Sequence, residues 1–266
     1  GISANSLSLD GTKHPPTWDE FLRKALTQVD GDTTFIKKLL NEKDYLTACE
    51  IIVNRITNLQ FERIAKECFL TPKFQIHSIH KTIFKLDSRI VATPNVDKIY
   101  EVYAQSETSG TTLVKYYYDT DIADKIRSSD QIILKIHGTL DQCNKMIFTR
   151  KQYANAKYQY SAFYKILDAL VTTNTLIFLG CGFSDPDIKL LLENYAFTFP
   201  NSHPHYMITP DNEVNEDLIK VMKENYNINL IRYDPSNHHE ELCKSLDDLV
   251  IQVDDYRSEI SRNMSW

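Results

Sequence analysis

A chain of 266 residues, 42% hydrophobic and 25% charged, is long enough to bury a sizeable core and too apolar for extended disorder. Its net charge of −6 lacks the basic surplus of a nucleic-acid-binding domain, so no direct nucleic-acid contact is expected. The five cysteines are odd in number with no Cys-x-x-Cys pair, which fits a reducing cytoplasm better than a disulfide framework or a zinc site, and neither a leader peptide nor an apolar run of about 20 residues for a membrane is read.

Residues 17–86 read as a mainly helical insertion. Thr17 is placed to cap a helix from Trp18 to about Leu26, with Asp19 and Glu20 at its positive end. Apolar residues then recur at helical spacing as Phe35, Leu39 and Leu40; as Leu46, Cys49 and Ile52; and as Leu59, Phe61, Ile64 and Ala65. His80, Ile83 and Phe84 lie on a further helix leading to Asp87. From Arg89 the pattern becomes short apolar runs between helices: Ile90–Ala92, the more polar Leu113–Tyr118, Ile132–Leu134, Leu176–Leu179, Tyr206–Ile208 and Ile228–Ile231. The intervening helices are predicted over 96–104, 159–172, 187–195, 215–226 and 238–254. Continuous apolar strands alternating with helices predict a parallel sheet buried on both faces. The expectation is one α/β domain over 1–266, a doubly wound, Rossmann-like parallel sheet with a helical insertion near the N-terminus and the main part of its core at 87–256.

Ligands of such folds sit beyond the carboxyl ends of the strands. The residues there are Thr93-Pro94-Asn95-Val96-Asp97, His137-Gly138, Gly180 to Asp187, and Thr209-Pro210-Asp211. Each segment also has a structural reading. Asn95 and Asp97 suit a helix N-terminus, and His137 suits a turn. Ser184 or Asp185 suits the cap of a helix that Pro186 opens. The aromatic stretch of Tyr153, Tyr158, Tyr160, Phe163 and Tyr164 suits helix packing, with a subunit interface as the alternative. The chemical reading rests on His as a proton acceptor near neutral pH and on exposed amides of a strand-to-helix turn as phosphate ligands.

These segments together resemble the sirtuin family, in its bacterial sirtuin-like branch. Gly1-Ile2-Ser3 is similar to the end of the family's Gly-Ala-Gly-Ile-Ser loop, and Pro16-Thr17-Trp18 to the Pro-x-Trp that follows it. Thr93 to Asp97 matches Thr-x-Asn-x-Asp, Ile136-His137-Gly138 matches the His-Gly strand end, and Gly180 to Ile188 resembles Gly-x-x-x-Ser-Asp-Pro-Asp. The resemblance implies NAD as a substrate. Gly1, Ile2 and Ser3 would border its pyrophosphate and nicotinamide. Asn95 would orient a water or the nicotinamide ribose, Asp97 would lie near the carboxamide, and Thr93 would belong to the same site. His137 would act as the base, Gly180 and Ser184 would line the pyrophosphate side, and Thr209 the adenine ribose.

Protein-deacylating sirtuins carry a four-cysteine zinc module after the His-Gly strand. Only Cys143 lies in that stretch here, so no zinc or other metal is expected. That departure and the early helical insertion resemble the NAD hydrolases of bacterial anti-phage defence. Cleavage of the nicotinamide–ribose bond is the leading expectation. The alternatives are a non-catalytic NAD- or ADP-ribose-binding sensor or assembly subunit, and an NAD-dependent protein deacylase. Uncontrolled NAD loss is toxic, so the resemblance also implies restraint by a partner subunit, such as a sensor or ATPase, or by homo-oligomerisation.

Overall fold

The protein is described by a computed structural model covering residues 2–181 and 186–264. In chain order its elements are helices α1 (Trp18–Leu26), α2 (Thr34–Asn41), α3 (Tyr45–Arg55), α4 (Asn58–Phe69) and α5 (Ser78–Lys85), then strand β1 (Ile90–Thr93), α6 (Ile99–Glu107), β2 (Leu113–Tyr116), α7 (Ile122–Arg127) and β3 (Ile132–Lys135). There follow α8 (Arg150–Gln159), α9 (Ser161–Thr173), β4 (Ile177–Leu179), α10 (Pro186–Thr198), β5 (His205–Pro210), α11 (Glu216–Tyr226), β6 (Ile228–Tyr233) and α12 (Ser236–Asn263). The fold is α/β and Rossmann-like, with parallel three-stranded sheets ordered β1-β3-β2 and β4-β5-β6. The chain divides into two compact units, one of Ser3–Ile76 with Arg89–Ile166, the other of Gly1–Ile2, His77–Ser88 and Leu167–Trp266.

In the first unit, helix starts follow from local chemistry. Thr17 and Glu20 form a capping box at α1, and Thr57 and Gln60 form one at α4, each satisfying amides that the first turn leaves without a helical partner. The apolar stripe of α1 buries Phe21, Leu22, Ala25 and Leu26. Phe21 is fully buried, with its ring 5.7 Å from Trp18 and Phe61, 5.3 Å from Phe69 and 5.6 Å from Phe148. Burying such a side chain contributes about 1.5–3 kcal/mol. This cluster also takes in Val96, Leu140 and Met146, so the helical core reaches the loops that follow β1 and β3. Strand β3 is central and buried along its whole length, as a parallel strand covered on both faces must be.

In the second unit, β5 lies between β4 and β6, and Met207, Leu192, Val171, Met222, Tyr226 and Ile228 make the core. Thr82 of α5 donates to Asp247 of α12 at 2.6 Å, and Arg257 holds Asp87 and the Leu86 carbonyl. Helix α12 ends later than its apolar pattern over 238–254, and its start is kinked, since Asn237, His238 and His239 take left-handed backbone angles and its regular turns follow them. No helix among the described residues is long and apolar enough to cross a membrane.

Other boundaries differ from the sequence pattern for local reasons. The helix expected from residue 96 starts at Ile99, because Val96 and Asp97 are used by the turn. The helix expected over 159–172 is α9, and the preceding α8, with its own Thr149–Gln152 capping box, lacks an apolar stripe to announce it. Short α7 was likewise hidden in a polar stretch.

Candidate functional site

The parallel register puts Thr93 of β1 opposite Lys135 of β3, and the Ile136 amide donates to the Thr93 carbonyl at 3.0 Å. The residues just beyond these paired ends are Asn95 on one strand and His137 on the other. Thr93, Asn95, Asp97 and His137 thus belong to one strand-end cluster within the first unit.

The Asn95 turn is held residue by residue. The Asn95 amide donates to Thr93 Oγ1 at 3.1 Å, a local turn of the kind Thr supports. Val96 points into the core, 5% exposed. Asp97 is 8% exposed, and its Oδ1 accepts from the Ile99 amide at 3.0 Å. Asp97 therefore does serve the start of α6, as its residue type allows. The half-buried side chain of Asn95 makes no hydrogen bond among the described residues, which leaves its amide available to a ligand.

His137 is buried, and its Nε2 lies 3.1 Å from the Tyr153 hydroxyl, with the two rings edge to face at 5.2 Å. Its carbonyl accepts from the Ile147 amide at 3.1 Å. Gly138 follows at φ +82°, and a Cβ there would stand 2.6 Å from the Lys145 carbonyl oxygen. The turn therefore requires glycine, both for its left-handed backbone and for the close approach of the 145–146 chain. Tyr117 donates its hydroxyl to the same carbonyl at 2.8 Å, and burial pushes its phenol up to about 12, so it stays a donor.

Beside this turn lies an ion pair that motif reading passed over. Lys135 and Glu101 are 2% and 3% exposed, with Nζ 2.7 Å from Oε2. Burial pushes the Glu101 carboxyl up, and the Lys135 ammonium opposes that shift. Lys135 Nζ also donates to the Asp97 main-chain carbonyl. A lysine closing the apolar run Ile132-Ile133-Leu134 was the available signal. Tyr153 was visible only as one of several aromatic residues, since nothing local ties it to His137.

Ser3 is also in the first unit and is buried. Ile2 is grouped with the second unit, as are Gly180 and Thr209. Gly180 follows β4 at φ +60°, and Thr209 lies in β5 opposite Arg232 of β6. Gly1, Ser184 and the Asp185 cap fall outside the described residues. Among the described residues no three His, Cys, Asp or Glu side chains are grouped to hold a metal ion.

Comparison with known proteins adds to this geometry. A family model described as SIR2-like domain matches residues 89–231, more than half the chain. The chain is 26% identical over 92% of its length to the NAD(+) hydrolase ThsA of Enterococcus faecium, covering 50% of that protein. It is 23% identical over 72% of its length to the NAD(+) hydrolase ThsA of Acinetobacter baumannii, covering 38% of it. It is 22% identical over 81% of its length to the defense-associated sirtuin 2 of Bacillus subtilis, covering 21% of it. The chain thus spans half or less of these curated relatives.

Proposed function

The chain belongs to the SIR2-like family, and on that premise we propose that it hydrolyses NAD to nicotinamide and ADP-ribose, using Asn95, His137 and Asp97. The observation that carries this reading is the uncommitted Asn95 amide beside His137 at the paired ends of β1 and β3. Relatives named as NAD hydrolases support the choice of substrate.

The bond broken joins the ribose C1′ to the nicotinamide nitrogen. Its electron pair leaves with nicotinamide, which departs neutral and needs no proton. Positive charge builds on C1′, and water attacks there. The Asn95 amide orients that water or the ribose hydroxyls, His137 accepts the proton released when the new C1′–O bond forms, and Asp97 holds the carboxamide of the departing ring. Thr93 shapes the turn that presents Asn95. Ser3 and Ile2, with Gly1, Gly180, Ser184 and Thr209, keep the phosphate- and ribose-binding roles implied by the resemblance.

The setting we propose is NAD depletion in the cytoplasm during anti-phage defence, released by a partner subunit or by self-association. The test is chromatography of nicotinamide and ADP-ribose after incubating the protein with NAD, with and without co-expressed genomic neighbours. Wild-type protein consumes NAD in at least one of these conditions, and Asn95→Ala and His137→Ala do not. Undiminished activity in both variants would remove these residues from the mechanism. Formation of an acetylated ADP-ribose from acetyl-lysine peptide would instead establish a deacylase. Nucleotide binding with no turnover in any condition would establish a sensor.

A further inference from the structure

We propose that the buried Lys135–Glu101 pair is a positioning device that fixes the Asn95–Asp97 turn relative to the His137 strand. This rests on the reading of Asn95 and His137 as the reacting pair.

Lys135 closes the central strand, two residues before His137, at a position 2% exposed. An ammonium there must be paired, because an isolated charge cannot remain in so dry a site. It has two partners on different elements: the Glu101 carboxylate of α6 at 2.7 Å, and the main-chain carbonyl of Asp97 in the turn between β1 and α6. One side chain on the His137 strand therefore grips both the turn that carries Asn95 and the helix that follows it.

Stability alone does not explain such a pair. Two charges removed from water regain little, and apolar residues of similar volume commonly serve the fold as well or better. What an apolar pair cannot supply is a directed bond to the Asp97 carbonyl. Two other fastenings of the turn, Thr93 Oγ1 to the Asn95 amide and Asp97 Oδ1 to the Ile99 amide, stay within the β1–α6 segment. A third, Lys98 Nζ to Asp141 Oδ2 at 2.6 Å, reaches the chain after His137 but joins two solvent-accessible side chains, where an ion pair holds weakly. Val96 ties that segment to the helical core, and Lys135 ties it by a directed bond to the strand that leads into His137.

The test replaces both charges in the full chain, as Lys135→Met with Glu101→Leu, and reads thermal midpoint, kcat and KM for NAD, and amide hydrogen exchange over residues 95–99. The expected result is a folded protein with an unchanged midpoint, kcat lower by about 100-fold, KM within about threefold, and exchange in the turn faster by about tenfold. A double variant with the same midpoint, kcat within about threefold of wild type and unchanged exchange overturns the proposal. If that variant does not fold, Glu101→Gln decides, since it keeps the shape but no longer anchors an ammonium. Faster turn exchange with lower kcat then supports the device, and unchanged values for both refute it. If wild-type protein consumes no NAD, the functional reading fails, and the exchange measurement alone still decides whether the pair holds the turn.

Discussion

Replacing Gly138 by alanine places a methyl group 2.6 Å from the Lys145 carbonyl oxygen. That is about 0.7 Å short of the ~3.3 Å at which carbon meets a carbonyl oxygen. The obstacle is backbone, and it cannot rotate away as a side-chain end would. The carbonyl also accepts the Tyr117 hydroxyl at 2.8 Å, so displacing it disturbs a second bond. Alanine in addition must occupy φ near +82°, which costs about 1–2 kcal/mol for a residue with a Cβ. Overpacking adds about 1–3 kcal/mol, and the expected loss is about 3 kcal/mol in all. Urea unfolding followed by circular dichroism measures it as a lower midpoint with an unchanged slope. Because Gly138 follows His137 directly, NAD turnover should fall as well, even below the temperature at which the variant unfolds. A loss under about 0.5 kcal/mol, with turnover unchanged, would refute the argument that this turn admits only glycine.

Other expectations follow from the same geometry. Tyr153→Phe keeps the ring against His137 but deletes the hydroxyl at 3.1 Å from Nε2; stability should drop by about 1 kcal/mol while kcat falls with NAD binding retained, and an unchanged kcat would leave Tyr153 a packing residue only. Phe21→Ala should cost about 3–5 kcal/mol in chemical denaturation, since this ring is fully buried among four other aromatic rings; a cost below about 1 kcal/mol would contradict its central place in the core. His205 is buried, its Nδ1 accepts from the Leu176 amide at 3.1 Å, and burial lowers its pKa below 6.5. The unfolded chain therefore binds a proton that the folded chain refuses, so stability is lost as pH falls below 6.5. Thermal melts between pH 7.5 and about 5 should show this slope, and His205→Asn, which keeps an acceptor for the amide, should reduce it. Equal slopes in the two proteins would assign the acid sensitivity elsewhere.

Much of the first unit was legible because its signals are local. Thr17 with Glu20 and Thr57 with Gln60 sit three residues apart, and capping needs nothing more distant. The strand of Ile132-Ile133-Leu134 announced its burial through its apolar run. Helix α8 was less legible, since its one fully buried side chain is Ala156, which leaves no apolar period to read. At the site, the order of Thr93, Asn95, Asp97, His137 and Gly138 was readable as motifs. Asp97 also illustrates that a capping role and a place in a site are compatible, because one carboxylate oxygen holds the Ile99 amide and the other lies outside that bond.

By itself the sequence determined which apolar runs become strands, which polar residues lie at or near their ends, and which family they resemble, since all three are written in neighbouring residues. The strands themselves run on to Thr93, Lys135, Pro210 and Tyr233, past the apolar runs, because backbone pairing does not need an apolar side chain. Only the tertiary structure decided what those residues touch. That Lys135 meets Glu101 and the Asp97 carbonyl, that Tyr153 meets His137, and that Gly138 is pressed by Lys145 depend on register and on the crossing of separate elements. Periods of 2.0 and 3.6 residues state which face of an element is buried. They do not state which side chain waits on the opposing face, and for a buried charge or an imidazole nitrogen that partner determines its chemistry.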